Sequence, residues 1–158
     1  MEALFKHLHV EPLLAIEFIS TFSRFEYALK STTYFREPNR TDAAWVKFAD
    51  DIDEKFRSIE SKSLKEACDF LLENSPRKQV RIDNELKFQA EPINTNNTQT
   101  HNLFLMILTI RNNLFHGGKY SPDGEQEAGR NKDLLTAGLT ILKNSYHLDN
   151  SVKTSFEM

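Results

Sequence analysis

The chain has 158 residues, 39% apolar and 27% charged, with a formal charge of −3. That balance excludes a disordered chain and a basic nucleic-acid coat, and the length suits one domain with a real core. The single Cys68 excludes an intramolecular disulfide and a thiolate metal cluster, and it suits a reducing compartment.

Twelve Phe against five Gly and five Pro favour an aromatic-rich helical core over a turn-rich sandwich. The opening MEALFKHLHVEP lacks the basic region and long apolar core of a signal peptide. The longest apolar run, Leu103 to Leu108, is too short to span a bilayer. A soluble cytoplasmic protein with no membrane association is expected.

Pro12 suits the first turn of a helix, where its missing N–H costs nothing. Leu14, Phe18, Phe22, Phe25 and Leu29 then recur at helical spacing, and Leu13, Ile16 and Ile19 widen the stripe. So wide a stripe needs cover on more than one side, from the core or from a partner subunit. Asp42 is positioned to cap a second helix with the stripe Trp45, Phe48, Ile52, Phe56 and Ile59. Asp50, Asp51, Asp53 and Glu54 read as its solvated face. Ser61 or Ser63 can cap a third helix carrying Leu64, Ala67, Cys68, Leu71 and Leu72. Cys68 there reads as a small buried hydrophobe rather than a nucleophile.

Pro76 ends that helix and the period changes. Val80 and Ile82 alternate with charged residues, Asp83-Asn84 gives a turn, and Leu86 and Phe88 alternate again. This predicts a small β-hairpin at about 79–90. Arg77, Lys78, Arg81 and Lys87 make it locally basic. Lysines on a solvated edge strand explain that pattern, and contact with a phosphate backbone is the sharper reading. Residues 92–98 form a polar linker. Thr98 or Thr100 can cap a fourth helix, apolar on nearly all sides from Leu103 to Ile110 and therefore central. Gly117 and Gly118 stop it near His116. Ser121 to Gly129 reads as a polar loop. A last helix carries Leu134, Leu135, Gly138, Leu139, Ile141, Leu142 and Tyr146, and the flexible tail 149–158 is expected to be frayed or loosely docked.

Chemistry concentrates in RNNLFHGGKY, Arg111 to Tyr120. Phe104, Leu108 and Phe115 share the face of Arg111, so its guanidinium emerges from an apolar stripe and needs an anion. The planar fork suits a phosphate. His116 lies four positions after Asn112, so on a continued helix the amide can fix the imidazole. Arg111 and His116 lie about 140° apart on an ideal helix. They converge only if the helix unwinds near Phe115 or if a second chain completes the site. Imidazole titrates near neutrality and serves as general acid or base. Beside a phosphate-binding arginine it suits phosphodiester cleavage, with the ribose 2′-hydroxyl of RNA as a built-in nucleophile and no metal or cofactor required. An ion-pair arginine and a cap histidine are the bland alternative. His7, His9, His101 and His147 form no zinc set.

The same residues resemble the signature of the HEPN superfamily (higher eukaryotes and prokaryotes nucleotide-binding domains). Its members carry R-x4–6-H, often with Asn, Asp or His directly after the arginine. Arg111, Asn112 and His116 match, with four residues between arginine and histidine. The resemblance implies an all-α, HEPN-like bundle of about five helices over 1–158, here with a hairpin insertion. It implies a homodimer whose two motifs meet in one composite active site and cleave RNA without metal. The products would carry 2′,3′-cyclic phosphate and 5′-hydroxyl ends. Toxin–antitoxin or antiphage defence is the expected setting, with an antitoxin protein as a further partner. Catalysis falls to Arg111, His116 and Asn112, with Lys119 and Tyr120 as candidate RNA contacts. The alternative is a catalytically inactive HEPN-like module that binds a nucleotide or a protein as a dimer. The hairpin departs from a plain bundle.

Overall fold

A computed structural model describes residues 10–116 and 128–158. Among them six α-helices surround an aromatic core, and a two-stranded antiparallel sheet projects from one side. Helix α1 spans Pro12–Lys30, α2 Trp45–Arg57 and α3 Lys62–Glu73. Strands β1, Lys78–Ile82, and β2, Glu85–Gln89, follow. Helices α4, Gln99–Phe115, α5, Ala128–Lys143, and α6, Asn150–Glu157, complete the order. No described helix is long and apolar enough to cross a membrane.

Helix α1 begins with Pro12 in its first turn and turns Phe18, Phe22, Phe25 and Leu29 inward. Phe25 is fully buried, and its ring meets Trp45 at 5.1 Å, Phe48 at 5.3 Å, Phe156 at 5.9 Å and Phe104 at 6.3 Å. Rings from three other helices therefore converge on one side chain of α1. Each such pair contributes about 0.5–1.5 kcal/mol beyond burial. At Gly138 of α5, a Cβ would lie 3.1 Å from the Phe18 ring, so this glycine lets α1 and α5 approach closely. The wide stripe of α1 is not all covered. Leu13 is 71% exposed and Ile16 is 54% exposed.

Helix α2 starts at Trp45 after Ala44, not after an Asp42 cap. Asp42 is used one step earlier. Its carbonyl accepts from the Arg36 N–H at 3.0 Å, closing the loop that leads to α2. The supposed solvated face of α2 is also revised. Asp51 and Glu54 are exposed, but Asp53 is buried against the start of α4. It accepts from the Thr100 N–H at 3.4 Å and from Arg57 Nε at 2.9 Å. Asp50 accepts from Thr98 Oγ1 at 3.1 Å and lies 3.0 Å from His101 Nδ1. Two carboxylates thus meet the positive end of α4. Burial pushes the Asp53 carboxyl up, but hydrogen bonds from Thr100 and Arg57 outweigh it and hold it below its ordinary value.

Ser61 caps α3, accepting from the Leu64 N–H at 3.3 Å. Cys68 is buried, and desolvation pushes its thiol up to about 11, which suits packing and not attack. The hairpin forms as expected. Asp83 and Asn84 take φ of 52° and 64°, the paired left-handed values of a two-residue turn, and Arg81 faces Leu86 across the strands. The ribbon stays open to solvent, with Leu86 62% and Ile82 41% exposed.

The tail is docked rather than frayed. It forms α6, capped by Asp149, whose carboxylate accepts from the Ser151 and Val152 N–H groups at 2.9 and 3.0 Å. Val152 is fully buried, and Phe156 stacks on Tyr146 with ring centroids 4.2 Å apart. Arg24 of α1 donates to the Phe156 carbonyl. An eight-residue helix is marginal alone and is held by this docking.

Candidate functional site

Helix α4 carries the site at its last turn. Thr98 caps its start, accepting from the His101 N–H at 3.1 Å. Leu103, Phe104, Ile107, Ile110 and Leu114 anchor one side in the core. The helix is not buried all round, because Leu105 is 40% exposed toward the hairpin. It ends at His116, whose N–H donates to the Asn112 carbonyl at 2.9 Å.

Arg111 leaves this helix between two aromatic rings. Its guanidinium carbon sits 4.8 Å from the Phe115 ring centre and 5.5 Å from that of Phe22 on α1. Nη1 donates to Asn112 Oδ1 at 3.0 Å, while Nε is buried and has no hydrogen-bond partner among the described residues. No carboxylate pairs with Arg111 among the described residues. Stacking on two rings offsets about 1–2 kcal/mol of desolvation. The remaining demand is for solvent or an anion. Of the apolar stripe expected to surround Arg111, Phe115 holds the guanidinium, and Phe22 adds a ring from another helix.

Asn112 faces Arg111 and not the imidazole. The expected hydrogen bond from Asn112 to the His116 ring is not formed, and the amide oxygen is taken by the adjacent guanidinium. His116 is exposed. Together with Asn112 it lines one end of a cleft of about 450 Å³ between α4 and the hairpin. Lys78, Gln79 and Glu91 form one wall, and Leu105, Leu108 and Thr109 form the floor. Arg111 lies outside this lining. One chain thus brings Asn112 to Arg111 and Asn112 to His116, but leaves arginine and histidine on different sides of the helix. Lys119, Tyr120, Gly117 and Gly118 lie outside the described residues, as do His7 and His9.

Two residues shape the site without having stood out in the sequence. Asn113 is 8% exposed and donates from Nδ2 to the Arg77 carbonyl at 2.8 Å, tying the hairpin's base to the last turn of α4. Its signal was an amide three residues after Ile110, on the buried face. Arg130 donates to the Ser75 carbonyl at 2.8 Å, just past the end of α3. The basic hairpin is partly neutralised in place: Lys78 pairs with Glu91 at 3.3 Å and Lys87 with Glu85 at 3.4 Å. Among the described residues no three His, Cys, Asp or Glu side chains gather as metal ligands.

No family model, no curated protein and no solved structure matches this chain.

Proposed function

We propose that this chain is a metal-independent endoribonuclease of HEPN type, acting as a homodimer. One observation carries the reading. A half-buried guanidinium is held on two rings beside Asn112, with no carboxylate among the described residues to neutralise it, five positions before an exposed histidine at the same helix end. Such a charge is built to receive an anion.

In this mechanism Arg111 holds the scissile phosphate and Asn112 fixes the guanidinium by accepting from Nη1. The ribose 2′-oxygen attacks phosphorus as its proton leaves to a base, and the P–O5′ bond breaks as the 5′-oxygen gains a proton. His116 performs one of these proton transfers, and Arg111 offsets charge on the phosphorane. The products are a 2′,3′-cyclic phosphate and a 5′-hydroxyl.

Because Arg111 and His116 face different sides of α4, one chain supplies Arg111 to one centre and His116 to another, or two chains share a composite site. The exposed Leu13 and Ile16 on α1 support pairing with a second copy. Defence or toxin–antitoxin work in the cytoplasm, with an antitoxin protein as restraint, fits an enzyme of this kind. The same separation of Arg111 from His116 favours a second reading: an inactive HEPN-like dimer that binds a nucleotide or a protein through Arg111 alone.

The deciding experiment is cleavage of labelled RNA in EDTA by wild type, Arg111→Ala and His116→Ala. Loss in both variants, with cyclic-phosphate ends from wild type, is expected. Undiminished cleavage by His116→Ala would overturn the mechanism, and a wild type that binds RNA without cutting it would leave the binding module.

A further inference from the structure

The cleft beside His116 has a chemistry of its own. Its floor is apolar, from Leu105 and Leu108, and its walls are amides and an ion pair. Gln79 is half-buried there, and among the described residues its carboxamide has no hydrogen-bond partner. Asn112 spends its oxygen on Arg111, which leaves its NH₂ group for the cleft. Glu91 is engaged by Lys78 through one oxygen. The volume, about 450 Å³, lies in the range of small-ligand sites.

An apolar floor with free amide hydrogen-bonding groups at its edge, from Gln79 and the Asn112 NH₂, fits the face and edge of a heterocycle. We infer that this cleft seats one unpaired nucleobase next to the scissile phosphate, and that the base is adenine. A carboxamide pairs with adenine through two hydrogen bonds, giving to a ring nitrogen and taking from the exocyclic amine. Gln79 supplies that fork from β1. The Glu91 carboxylate accepts from an exocyclic amine and repels the carbonyl edge of uracil. Asn112 stands between base and phosphate, with its oxygen toward Arg111 and its NH₂ toward the cleft. The hairpin then acts as the selectivity arm of the site, and Asn113 fixes its distance from the catalytic turn by holding the Arg77 carbonyl.

This inference rests on the ribonuclease reading, and two measurements separate their fates. The first maps wild-type and Gln79→Ala cuts at single-nucleotide resolution in an unstructured RNA. Wild type is expected to cut beside adenine, and Gln79→Ala to lose that preference by about tenfold, the size of one two-bond base contact. The same preference in both proteins, or a preference for another base, overturns the inference while the ribonuclease reading stands. The second titrates AMP, GMP, CMP and UMP into the full chain and follows the side-chain amide signals of Gln79 and Asn112. Selective shifts with AMP uphold the cleft even if wild type cuts no RNA. Equal shifts with all four, or none with any, overturn it.

Discussion

Arg111 donates from Nη1 to the Oδ1 of its own neighbour, Asn112, at 3.0 Å. Adjacent residues on a helix project about 100° apart, so this contact needs the guanidinium to fold back across the helix surface. The Phe115 ring beneath it makes that fold favourable. The arginine is thereby aimed before any ligand arrives, which reduces the ordering cost of binding.

Arg111→Ala should lower RNA cleavage by about 10²–10³-fold, the usual effect of removing one stabiliser of transition-state charge. Its melting temperature should change little, since the stacking is worth about 1–2 kcal/mol and desolvation of Nε opposes it. Arg111→Lys should recover only a small part, because an ammonium has no planar fork for ring and phosphate together. Full activity in Arg111→Lys would show that charge alone suffices.

Asn112→Ala should reduce cleavage by about tenfold, through a loosened guanidinium. The Arg111→Ala and Asn112→Ala double variant should then be no worse than Arg111→Ala alone, since the amide acts through the arginine. Additive losses in single-turnover rates would give Asn112 an independent role.

His116→Ala removes an exposed side chain at a helix end, so its melting should stay within about 0.5 kcal/mol of wild type. Its cleavage should fall by about 10²–10⁴-fold. A matching loss of thermal stability would instead assign His116 to the fold.

Asp149 gives the acid limit of the fold. Burial raises its carboxyl, but donation from Ser151, Val152 and Tyr34 outweighs that and holds the folded value below the ordinary one. The unfolded chain therefore binds this proton more readily. The stabilisation is complete above the ordinary carboxylate value and is lost as pH falls through the folded value. Asp53 carries the same sign. Wild-type stability should fall from about pH 4 downward. Asp149→Asn should be less stable near neutrality by about 1 kcal/mol, with a shallower acid decline. Parallel declines in circular-dichroism melts would exclude Asp149 from the acid transition.

Gly138→Ala sets two effects against each other. Alanine in a helix interior gains about 1 kcal/mol over glycine. Its Cβ would press on Phe18 at 3.1 Å, with Ile110 at 3.6 Å and Ile107 at 3.7 Å behind it. Phe18 is fully buried, so its ring has little room to yield. The crowding, about 1–3 kcal/mol, should prevail, and the variant should melt lower. A rise in melting temperature would show that the ring can shift.

Features governed by neighbours in the chain were legible beforehand. Pro12, Ser61, Thr98 and the Asp83-Asn84 turn act within three or four residues, and each performs its expected role. Asp53 was misread because its partner Thr100 is 47 positions away, and charge patterning alone cannot see across that gap. Asp42 looked like a cap because its type is right, yet a backbone bond to Arg36 decided where α2 begins. The tail carried no sign of firm docking in its own residues, and only Val152 and Phe156 meeting a distant core hold it as a helix. At the site, spacing placed Arg111 and His116 at one helix end. The ring from Phe22 and the cleft wall from Gln79 come from other elements, so no local pattern announces them.

Helix α4 takes Asp50 and Asp53 at its start and ends at the candidate site. Its far end therefore carries the helix's partial negative charge, about half a unit, where a phosphate would have to sit. Most protein phosphate sites use the opposite end. One guanidinium leaves a surplus of about half a charge after cancelling that repulsion, and two chains, with two guanidiniums against two helix ends, about double it. On the paired-site reading a solitary chain is poorly suited to its own substrate. On that reading the concentration of the chain would itself set a threshold for activity, with dilute copies silent and concentrated ones active.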